Sequence, residues 1–353
     1  MKDVDFIVVG QGIAGTLLAH DLLEKNQSVA IIDFPSPSSS SKVAAGIINP
    51  VAMKRCIPTN RAHFYLPKAL ERYAEIEQKL NIQFLQKKPI LRLFSNNEVR
   101  HQWAIKYSNT EMSCYINRLT DANTYSFVKD EFGGAMVQPS AHINTEKFLN
   151  HSRDYFKTKA FLIEEEFDFD QFNSSKMIYK DLKSRYIIFC EGSKVILNPY
   201  FKNLPLSLTK GEVLTVQIPS VERMDFIISK GVYILPLGNY KYLLGSTYNH
   251  TDLTDRVTQQ GQHYLTEKLK DILSLNFTII SSRAGVRPTV KDRQPLVGLH
   301  PFHSKIGVFN GLGSRGLLQG PLISNKFSAF LTQTKNITYS AENHRLKSFL
   351  NPG

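Results

Sequence analysis

A glycine-rich turn at residues 10–15, with the sequence GQGIAG, constrains the fold of this chain more than any other feature. It follows an apolar run at residues 6–9 and precedes apolar residues at helical spacing, while a second apolar run ends at Asp33. In such a strand–turn–helix unit, Gly10 permits the tight turn, Gly12 lets a pyrophosphate approach the backbone, and Gly15 lets helix and strand pack closely. Asp33 lies 18 residues after Gly15, close to the spacing at which an acid contacts a ribose hydroxyl. The pattern predicts a βαβ unit that binds a dinucleotide, without separating FAD from NAD.

Apolar periodicity along the rest of the chain predicts an interleaved α/β organisation. Continuous apolar runs, typical of parallel strands buried on both faces, occur at residues 160–163, 186–190 and 306–309. Helical spacing recurs at residues 66–80, 145–155, 261–273 and 316–331. Residues 212–246 alternate like an antiparallel sheet. We expect residues 54–61 to form a loop. Residues 82–138 are predicted to be strand-like and mixed, with residues 90–94 the clearest strand.

A second glycine pattern, at Gly311, Gly313 and Gly316, opens the last predicted helix. No second strand ending in an acid follows it, which argues against a second dinucleotide site. A helix N-terminus carries about half a positive charge, and a reduced flavin is negative at its N1–C2=O edge. We therefore interpret the pattern as a loop and helix N-terminus directed at one ligand group, which suits a flavin. A glycine-lined turn that serves packing alone is the alternative.

Charged residues are concentrated in a segment, residues 283–295, that contains two prolines. Arg287 precedes Pro288, and a residue before proline is held in an extended conformation. A guanidinium fixed in this way presents a fork of donors that suits a carboxylate or the flavin edge. The alternative is a surface loop held by ion pairs.

Several kinds of site are excluded by what the sequence lacks. The histidines show no spacing typical of metal ligands, and no nucleophile elbow or P-loop occurs, so we expect no metal and no catalytic triad. Cys56, Cys114 and Cys190 are far apart, which argues against a disulfide framework and favours a reducing, cytoplasmic compartment. No uninterrupted apolar segment approaches the roughly 20 residues of a membrane span, so we expect no membrane association.

The formal net charge is +12, and residues 54–106 hold eleven lysines and arginines against four glutamates. A basic chain favours an anionic partner such as nucleic acid, although solubility alone also explains the charge. Within residues 54–106, solvated helix faces are one interpretation. A patch that contacts phosphates is the other.

These motifs together resemble the D-amino-acid oxidase (DAO) family of FAD-dependent oxidoreductases, which includes glycine oxidase and sarcosine oxidase. The resemblance is carried by residues 10–15, Asp33 and the segments 41–48, 187–192, 208–212, 283–288 and 311–316. It implies an α/β fold in which a Rossmann-like FAD-binding domain of the glutathione-reductase type is interleaved with a substrate-binding domain built on a mixed, largely antiparallel sheet. The implied FAD-binding domain comprises residues 1–81, 139–212 and 281–353, and the substrate-binding domain residues 82–138 and 213–280.

The resemblance also implies roles for individual residues. Arg287 falls where the family binds the substrate carboxylate, and Tyr233 where it places an active-site tyrosine, while Phe167 lies near the position that meets the adenine. The FAD-contacting positions it implies are Gly10, Gly12, Ile13, Ala14, Gly15, Asp33, Ser41, Lys42, Ala45, Gly46, Ile47, Phe167, Cys190, Glu191, Gly192, Arg287, Gly313, Ser314, Arg315, Gly316, Leu317 and Leu318.

The C-terminal loop departs from glycine oxidase. Ser314 stands where those enzymes have a second functional arginine, and Arg315 follows one position later. Residues 313–317 resemble instead the oxidase domain of the bifunctional tRNA 5-methylaminomethyl-2-thiouridine biosynthesis enzymes, which implies a tRNA partner. No cysteine lies near the loop and no histidine lies in residues 41–48, so we expect non-covalent FAD.

The predicted function is an FAD-dependent oxidoreductase that oxidises a C–N bond of a small amino acid or secondary amine by hydride transfer to flavin N5. The alternatives are an oxidase that modifies the wobble uridine of tRNA, a non-catalytic RNA-binding flavoprotein and an NAD-dependent dehydrogenase.

Overall fold

The computed structural model describes residues 1–109, 111–332 and 340–350. Its first sheet grows from the N-terminal strand, whose residues 6–9 are apolar and buried on both faces. The strands of this sheet are β1 (Lys2–Val9), β2 (Val29–Ile32), β11 (Phe161–Ile163), β12 (Phe172–Asn173), β13 (Ile178–Tyr179), β14 (Leu182–Phe189), β20 (Leu296–His300) and β21 (His303–Asn310). The central order β11-β2-β1-β14 is parallel, and β21 adds to it alongside β14. The predicted Rossmann-like βαβ unit is confirmed.

A second sheet of eight strands is mostly antiparallel. Its strands are β7 (Ile90–Leu93), β8 (Ile116–Thr120), β9 (Gly134–Val137), β15 (Thr209–Gln217), β16 (Ile227–Lys230), β17 (Val232–Gly238), β18 (Lys241–Gly245) and β19 (Thr278–Arg287). Their order in the sheet is β19-β15-β18-β17-β16-β7-β9-β8. Alternating side chains give it two faces, one packed in a core with Leu265 and Leu269 and the other in a core with Leu17, Tyr73 and Leu317.

Two short sheets and the helices complete the described fold. The short sheets comprise β3 (Ile47–Ile48), β6 (Leu85–Lys87) and β10 (Ala141–Ile143), and the hairpin β4 (Val51–Ala52) and β5 (Ile57–Pro58). The helices are α1 (Ile13–Glu24), α2 (Ser40–Val43), α3 (Ala62–Leu80), α4 (Asn97–Asn109), α5 (Thr145–Lys159), α6 (Gln259–Lys270), α7 (Gly316–Leu331) and α8 (Ser340–Leu350).

Helices α1 and α7 pack side by side, although they are about 300 residues apart in sequence. Gly320 permits the contact, because a Cβ there would lie 2.9 Å from Leu17 Cδ1. Arg72 of α3 pairs with the buried Asp21 at 2.7 Å, and Ser324 of α7 donates to the same carboxylate. The three helices are thereby fixed together, and both glycine-rich helix starts open on one side of the first sheet.

One local prediction was wrong, and one helix was not predicted. Residues 54–61 are not all loop, because Ile57–Pro58 pairs with Val51–Ala52. Residues 82–138 contain the helix α4 as well as strands, and its Trp103 is buried against Phe94. That helix has little apolar periodicity, since its contact with the core is concentrated in a single large ring. The side chain of Asn96, which accepts from the backbone N–H of Val99 at 2.8 Å, was the available sequence signal for its start.

Candidate active site

The first glycine turn joins β1 to α1 with very little space. Gly10 has φ +96°, and a Cβ there would lie 2.6 Å from the carbonyl oxygen of Cys190. A Cβ on Gly15 would lie 1.9 Å from the carbonyl oxygen of Gly10. Gly12 differs, because its Cβ would meet the side chain of Ser41, at 2.9 Å, and no backbone atom. Gly10 and Gly15 therefore allow β1 and α1 to pack closely. Gly12, having no side chain, leaves its own backbone accessible from the cavity.

Asp33, at the end of β2, is held in place by two partners. Its Oδ1 accepts from the backbone N–H of Gln11 at 2.8 Å, and its Oδ2 forms an ion pair with Arg153 at 2.8 Å. Arg153 also donates to the side-chain oxygen of Gln11 at 2.6 Å. Arg153 belongs to α5 and lies 120 residues from Asp33, so no local motif pointed to it. The acid predicted to meet a ribose is thus oriented by an arginine that sequence reasoning missed.

The segment that follows the serine run lies along the same turn. Ser41 accepts from the backbone N–H of Ile13, at the start of α1, at 3.1 Å. Gly46 has φ +73°, and a Cβ there would lie 1.8 Å from the carbonyl oxygen of Ile143. Because of this close contact, the backbone from Ser41 to Ile47 lies along the wall of the cavity.

Phe167 and Glu191 lie at the same edge of the first sheet as the glycine turn. A Cβ on Gly10 would lie 3.4 Å from Glu191 Cα, and the ring of Phe167 packs on Phe189 at the end of β14. The ring of Phe167 stacks on Tyr179 with centroids 4.4 Å apart. Burial raises the pKa of Glu191 to about 7, against the opposing effects of the hydrogen bond from Asn198 and the charge of Lys194. An aromatic ring beside polar groups is suited to a planar heterocycle.

The second glycine pattern forms a short 3-10 turn, Gly313–Arg315, before α7 begins at Gly316. Gly311 has φ +71° and Gly313 has φ +54°, a region that favours glycine. The backbone N–H of Gly313 donates to the carbonyl oxygen of Pro288 at 3.2 Å, which ties this loop to the residue after Arg287. The predicted loop and helix N-terminus are therefore present, and they face the same cavity as α1.

One cavity of about 1970 Å³ connects these parts. Most predicted cofactor positions line it: Gly10, Gly12, Ile13, Ala14, Asp33, Ser41, Lys42, Ala45, Gly46, Ile47, Phe167, Cys190, Glu191, Gly192, Arg287, Gly313, Ser314, Gly316 and Leu317. Gly15 does not line it and serves packing, while Arg315 and Leu318 line a smaller adjoining cavity of about 420 Å³. A pocket for one small ligand is typically about 300–1,000 Å³, so the large cavity has room for a cofactor and a substrate.

The second sheet closes the large cavity on the side opposite the glycine turns. Tyr233 of β17 lies in this wall, and Gly245 of β18 makes room for it, because a Cβ there would lie 2.5 Å from the Tyr233 hydroxyl. Burial raises the pKa of Tyr233, against the opposing charge of Arg287. The phenol therefore keeps its proton at neutral pH.

Arg287 crosses the same wall at the end of β19. Its Nη2 donates to Ser246 Oγ at 2.7 Å, and its guanidinium lies 4.9 Å from the ring centroid of Tyr248. Its Nη1 is buried without a hydrogen-bond partner in the described part of the chain. The geometry leaves one donor of a fixed guanidinium available to a ligand.

The smaller cavity adjoins the large one through Asn49, Met53 and Ser314 and is bordered by four cationic side chains, those of Lys54, Arg55, Arg293 and Arg315. No acidic residue of the described ranges lines it. Burial, together with the charges of Arg293 and Arg55, lowers the pKa of Arg315. The arrangement forms a positive rim beside the mouth of the large cavity.

The basic stretch at residues 54–106 does not form one surface. Arg72 is buried in its ion pair with Asp21, and Arg92 faces the large cavity. Three more of its cations are paired with carboxylates: Lys68 with Glu71, Lys79 with Glu24, and Arg100 with Asp121. Lys54 and Arg55 are members of this stretch that border the smaller cavity, where Arg293 and Arg315 also contribute to the positive rim.

The geometry fits an FAD-type ligand. A dinucleotide turn with open backbone at Gly12, an acid at the ribose position and a second helix N-terminus line one cavity that is larger than a nucleotide alone requires. This defines the class of protein as a flavin-binding oxidoreductase. A family model described as FAD dependent oxidoreductase (DAO) matches residues 5–328. The chain belongs to the DAO family of FAD-dependent oxidoreductases.

Individual relatives agree with this assignment. The oxidoreductase YurR of Bacillus subtilis is 23% identical, over 90% of this chain and 92% of its own. The bifunctional tRNA biosynthesis protein MnmC of Acinetobacter baylyi is 24% identical over 90% of this chain, which spans 51% of that protein. The crystal structure of glycine oxidase from Geobacillus kaustophilus superimposes with a TM-score of 0.80 at 20% identity and covers 100% of both chains. The predicted fold class is confirmed by this likeness.

Neither a metal-binding group nor a membrane-spanning helix occurs within residues 1–109, 111–332 and 340–350. No group of three or more His, Cys, Asp or Glu side chains there is placed to hold a metal ion. Nor does any helix within those ranges have the length and apolar character needed to cross a membrane.

Proposed function

We propose that this protein oxidises a C–N bond of a carboxylated amine, either an amino acid or a secondary amine. The observation that carries the proposal is the buried, unpartnered Nη1 of Arg287 on the wall of the cavity. A buried donor without a partner costs free energy, and a charged donor costs more. A carboxylate matches the guanidinium in both charge and geometry.

In this proposal the residues that would hold FAD line the cavity from Phe167 to the loop before α7. Asp33 would bind the ribose, the open backbone at Gly12 would meet the pyrophosphate, and residues 313–318 would hold the isoalloxazine. The cofactor domain comprises residues 1–81, 139–212 and 281–353, and the substrate domain residues 82–138 and 213–280. When bound, FAD supplies the hydride acceptor for the carbon next to nitrogen.

The chain itself binds and orients the substrate. Arg287 holds the carboxylate, and because Ser246 fixes the guanidinium, the carbon attached to that carboxylate takes up one position. Tyr233 keeps its proton and donates a hydrogen bond to the same carboxylate. The phenol and the apolar wall around it exclude water from the reacting carbon.

We propose that FAD is bound without a covalent link. Burial raises the pKa of the Cys190 thiol, which lies beneath Gly10 and Gly15, and raises that of Cys56 to about 11. Neither thiol is therefore activated for attachment. Acid precipitation of the purified protein should release all flavin into the supernatant, and flavin retained on the precipitate would contradict this. The three unpaired cysteines also support a cytoplasmic location.

A screen under anaerobic conditions tests the reaction. Amino acids, N-methylated amino acids and amines without a carboxylate are each added to the flavin-loaded protein, and loss of flavin absorbance is followed. Reduction by carboxylated amines and none by their decarboxylated counterparts is expected. Equal reduction by both groups would overturn the role assigned to Arg287.

A second candidate is an oxidase acting on an amine carried by tRNA, as the name of the MnmC relative suggests. The positive rim formed by Lys54, Arg55, Arg293 and Arg315 favours it. Binding of bulk tRNA to the flavin-loaded protein should then fall steeply with salt, since neutralised phosphates release counterions. An Arg55→Gln/Arg293→Gln variant should weaken this binding, whereas Lys202→Gln/Lys305→Gln, which removes the same charge elsewhere, should not. Absence of tRNA binding at low salt would exclude this second candidate and leave a small amine as the substrate.

A further inference from the structure

Arg92 lines the large cavity, as Arg153, Arg256 and Arg287 also do, and the mechanism above does not use it. It lies on β7, in register with Ser229 of β16, which is in register with Tyr233 of β17. Residues in register on neighbouring strands point to the same face of a sheet. Arg92 and Tyr233 therefore share the face that borders the cavity, which all three residues line.

The hydrogen bonding of Arg92 is incomplete. Its Nη1 donates to the carbonyl oxygen of Ser229 at 3.3 Å, and its Nε is buried with no partner in the described ranges. This leaves the edge formed by Nε and Nη2, where two parallel N–H groups can grip one carboxylate. Burial lowers the pKa of Arg92, as expected for a cation removed from solvent without an adjacent acid. The surroundings are apolar and include Ile90, Trp103 and Ile227.

The residues that anchor Arg92 and Arg287 lie on opposite sides of the strand that carries Tyr233. Arg92 is anchored above β16 through Ser229, and Arg287 is anchored through Ser246, which directly follows β18. Strand β17, which carries Tyr233, lies between β16 and β18. Two strand spacings are about 10 Å. A small ligand can therefore contact both arginines with its central atoms over the tyrosine.

We propose that Arg92 binds a second carboxylate of the substrate, so that the protein selects amines that carry two carboxylates. The inference deepens the proposed function and rests on the same cavity. A carboxylate is favoured over a phosphate because Arg92 brings one positive charge to this apolar part of the wall, and a single positive charge matches a single negative one. Arg287 fixes one end of the ligand and Arg92 the other.

A binding experiment separates this inference from the reaction. Glutarate and butyrate differ by one carboxylate, and neither carries an amine to be oxidised. Isothermal titration of the flavin-loaded protein should show glutarate binding about 10- to 100-fold more tightly than butyrate, the range expected for one charge-assisted hydrogen-bonded pair. Arg92→Gln should abolish this preference, and Arg92→Lys should keep part of it. Arg118→Gln, which removes an exposed arginine from β8 of the same sheet, should leave it intact.

A kinetic experiment extends the test to substrates. The ratio of kcat/KM for iminodiacetate to that for sarcosine, which has one carboxylate fewer, should fall about 10- to 100-fold in Arg92→Gln, mainly through KM. An unchanged ratio and an unchanged glutarate preference would overturn the role of Arg92 while leaving the proposed function intact. Glutarate binding that depends on Arg92, without flavin reduction by either amine, would support the second anion site and contradict the proposed reaction.

Discussion

Gly211 and Arg287 are matched across neighbouring strands: a Cβ on Gly211 would lie 2.0 Å from Nη2 and 2.4 Å from Nη1 of Arg287. The guanidinium passes directly over the glycine on its way from β19 toward Ser246. The position of the proposed carboxylate-binding group therefore depends on the absence of a side chain one strand away.

Gly211→Ala should impair carboxylate binding by Arg287 without changing Arg287 itself. The added methyl group displaces the guanidinium, so kcat/KM for the best carboxylated amine should fall about 10- to 100-fold, equivalent to about 1.5–3 kcal/mol. FAD content should stay near that of the wild type. Combining Gly211→Ala with Arg287→Ala should cost little more than Arg287→Ala alone, because both changes remove one interaction. Additive losses would show that Gly211 acts elsewhere.

Gly12→Val should impair FAD binding with little effect on the fold. The valine side chain extends toward Ser41 and the open backbone where a pyrophosphate has to approach. Purified protein should contain much less flavin than the wild type, measured by absorbance after denaturation. Gly12→Ala is the matched control, since its single methyl group meets the movable Ser41 hydroxyl and should lose less flavin. Full flavin content in Gly12→Val would contradict the site.

Arg153→Met should weaken FAD binding by about 5- to 30-fold, because it releases Asp33 and Gln11 from their common partner, an effect of about 1–2 kcal/mol. The dissociation constant is measured by titrating flavin back into flavin-free protein. Lys157→Met is the control, since Lys157 lies on the same helix, is half exposed and pairs with Glu164, which Arg153 also contacts, whereas the ion pair with Asp33 belongs to Arg153. Unchanged affinity in Arg153→Met would show that Asp33 does not need this orientation.

The sequence predicted those parts of the fold in which the interacting residues are close together along the chain. The strand–turn–helix–strand unit around residues 10–15 was predictable because its glycines and its acid lie within one supersecondary element. The ion pair of Arg153 with Asp33 spans 120 residues, and the alignment of Arg92 with Tyr233 requires the register of three strands. No spacing in the sequence encodes either relationship.

The charge surplus and the helix α4 were hard to interpret for a related reason. The sequence left open whether the positive charge at residues 54–106 lies on solvated helix faces or in a patch that contacts phosphates, and Arg72 does neither, because it is paired with Asp21 on another helix. The helix α4 was missed because a single ring, that of Trp103, provides most of its anchoring. The partner of Arg72 is distant in sequence, and the helix α4 lacks the repeated apolar residues that would have marked it.

Glu191 should make stability depend on pH. Its pKa is about 7 in the folded protein and near its ordinary value of 4.5 when unfolded, so the folded state binds the extra proton between these values. The free energy of unfolding therefore falls as pH rises through that window. Glu191→Gln should be more stable than the wild type above pH 7 by about 1–2 kcal/mol, after allowing for partial solvent exposure. The variant should lose this part of the pH dependence.

Chemical denaturation of flavin-free protein at a series of pH values measures the difference between Glu191→Gln and the wild type. A constant difference across the window would show that the carboxyl titrates normally.

The central claim, that Arg287 binds the carboxylate of an amine substrate, is tested most directly by the rate of flavin reduction in Arg287→Ala. Under anaerobic conditions the rate with the best carboxylated amine should fall about 10- to 100-fold, with FAD content retained, and Arg287→Lys should recover part of the loss because lysine lacks the fork. A wild-type rate in Arg287→Ala would contradict the account. The same substitutions at Arg315 would then show whether that residue binds the carboxylate. Loss of flavin from Arg287→Ala would instead make Arg287 a cofactor-binding or structural residue.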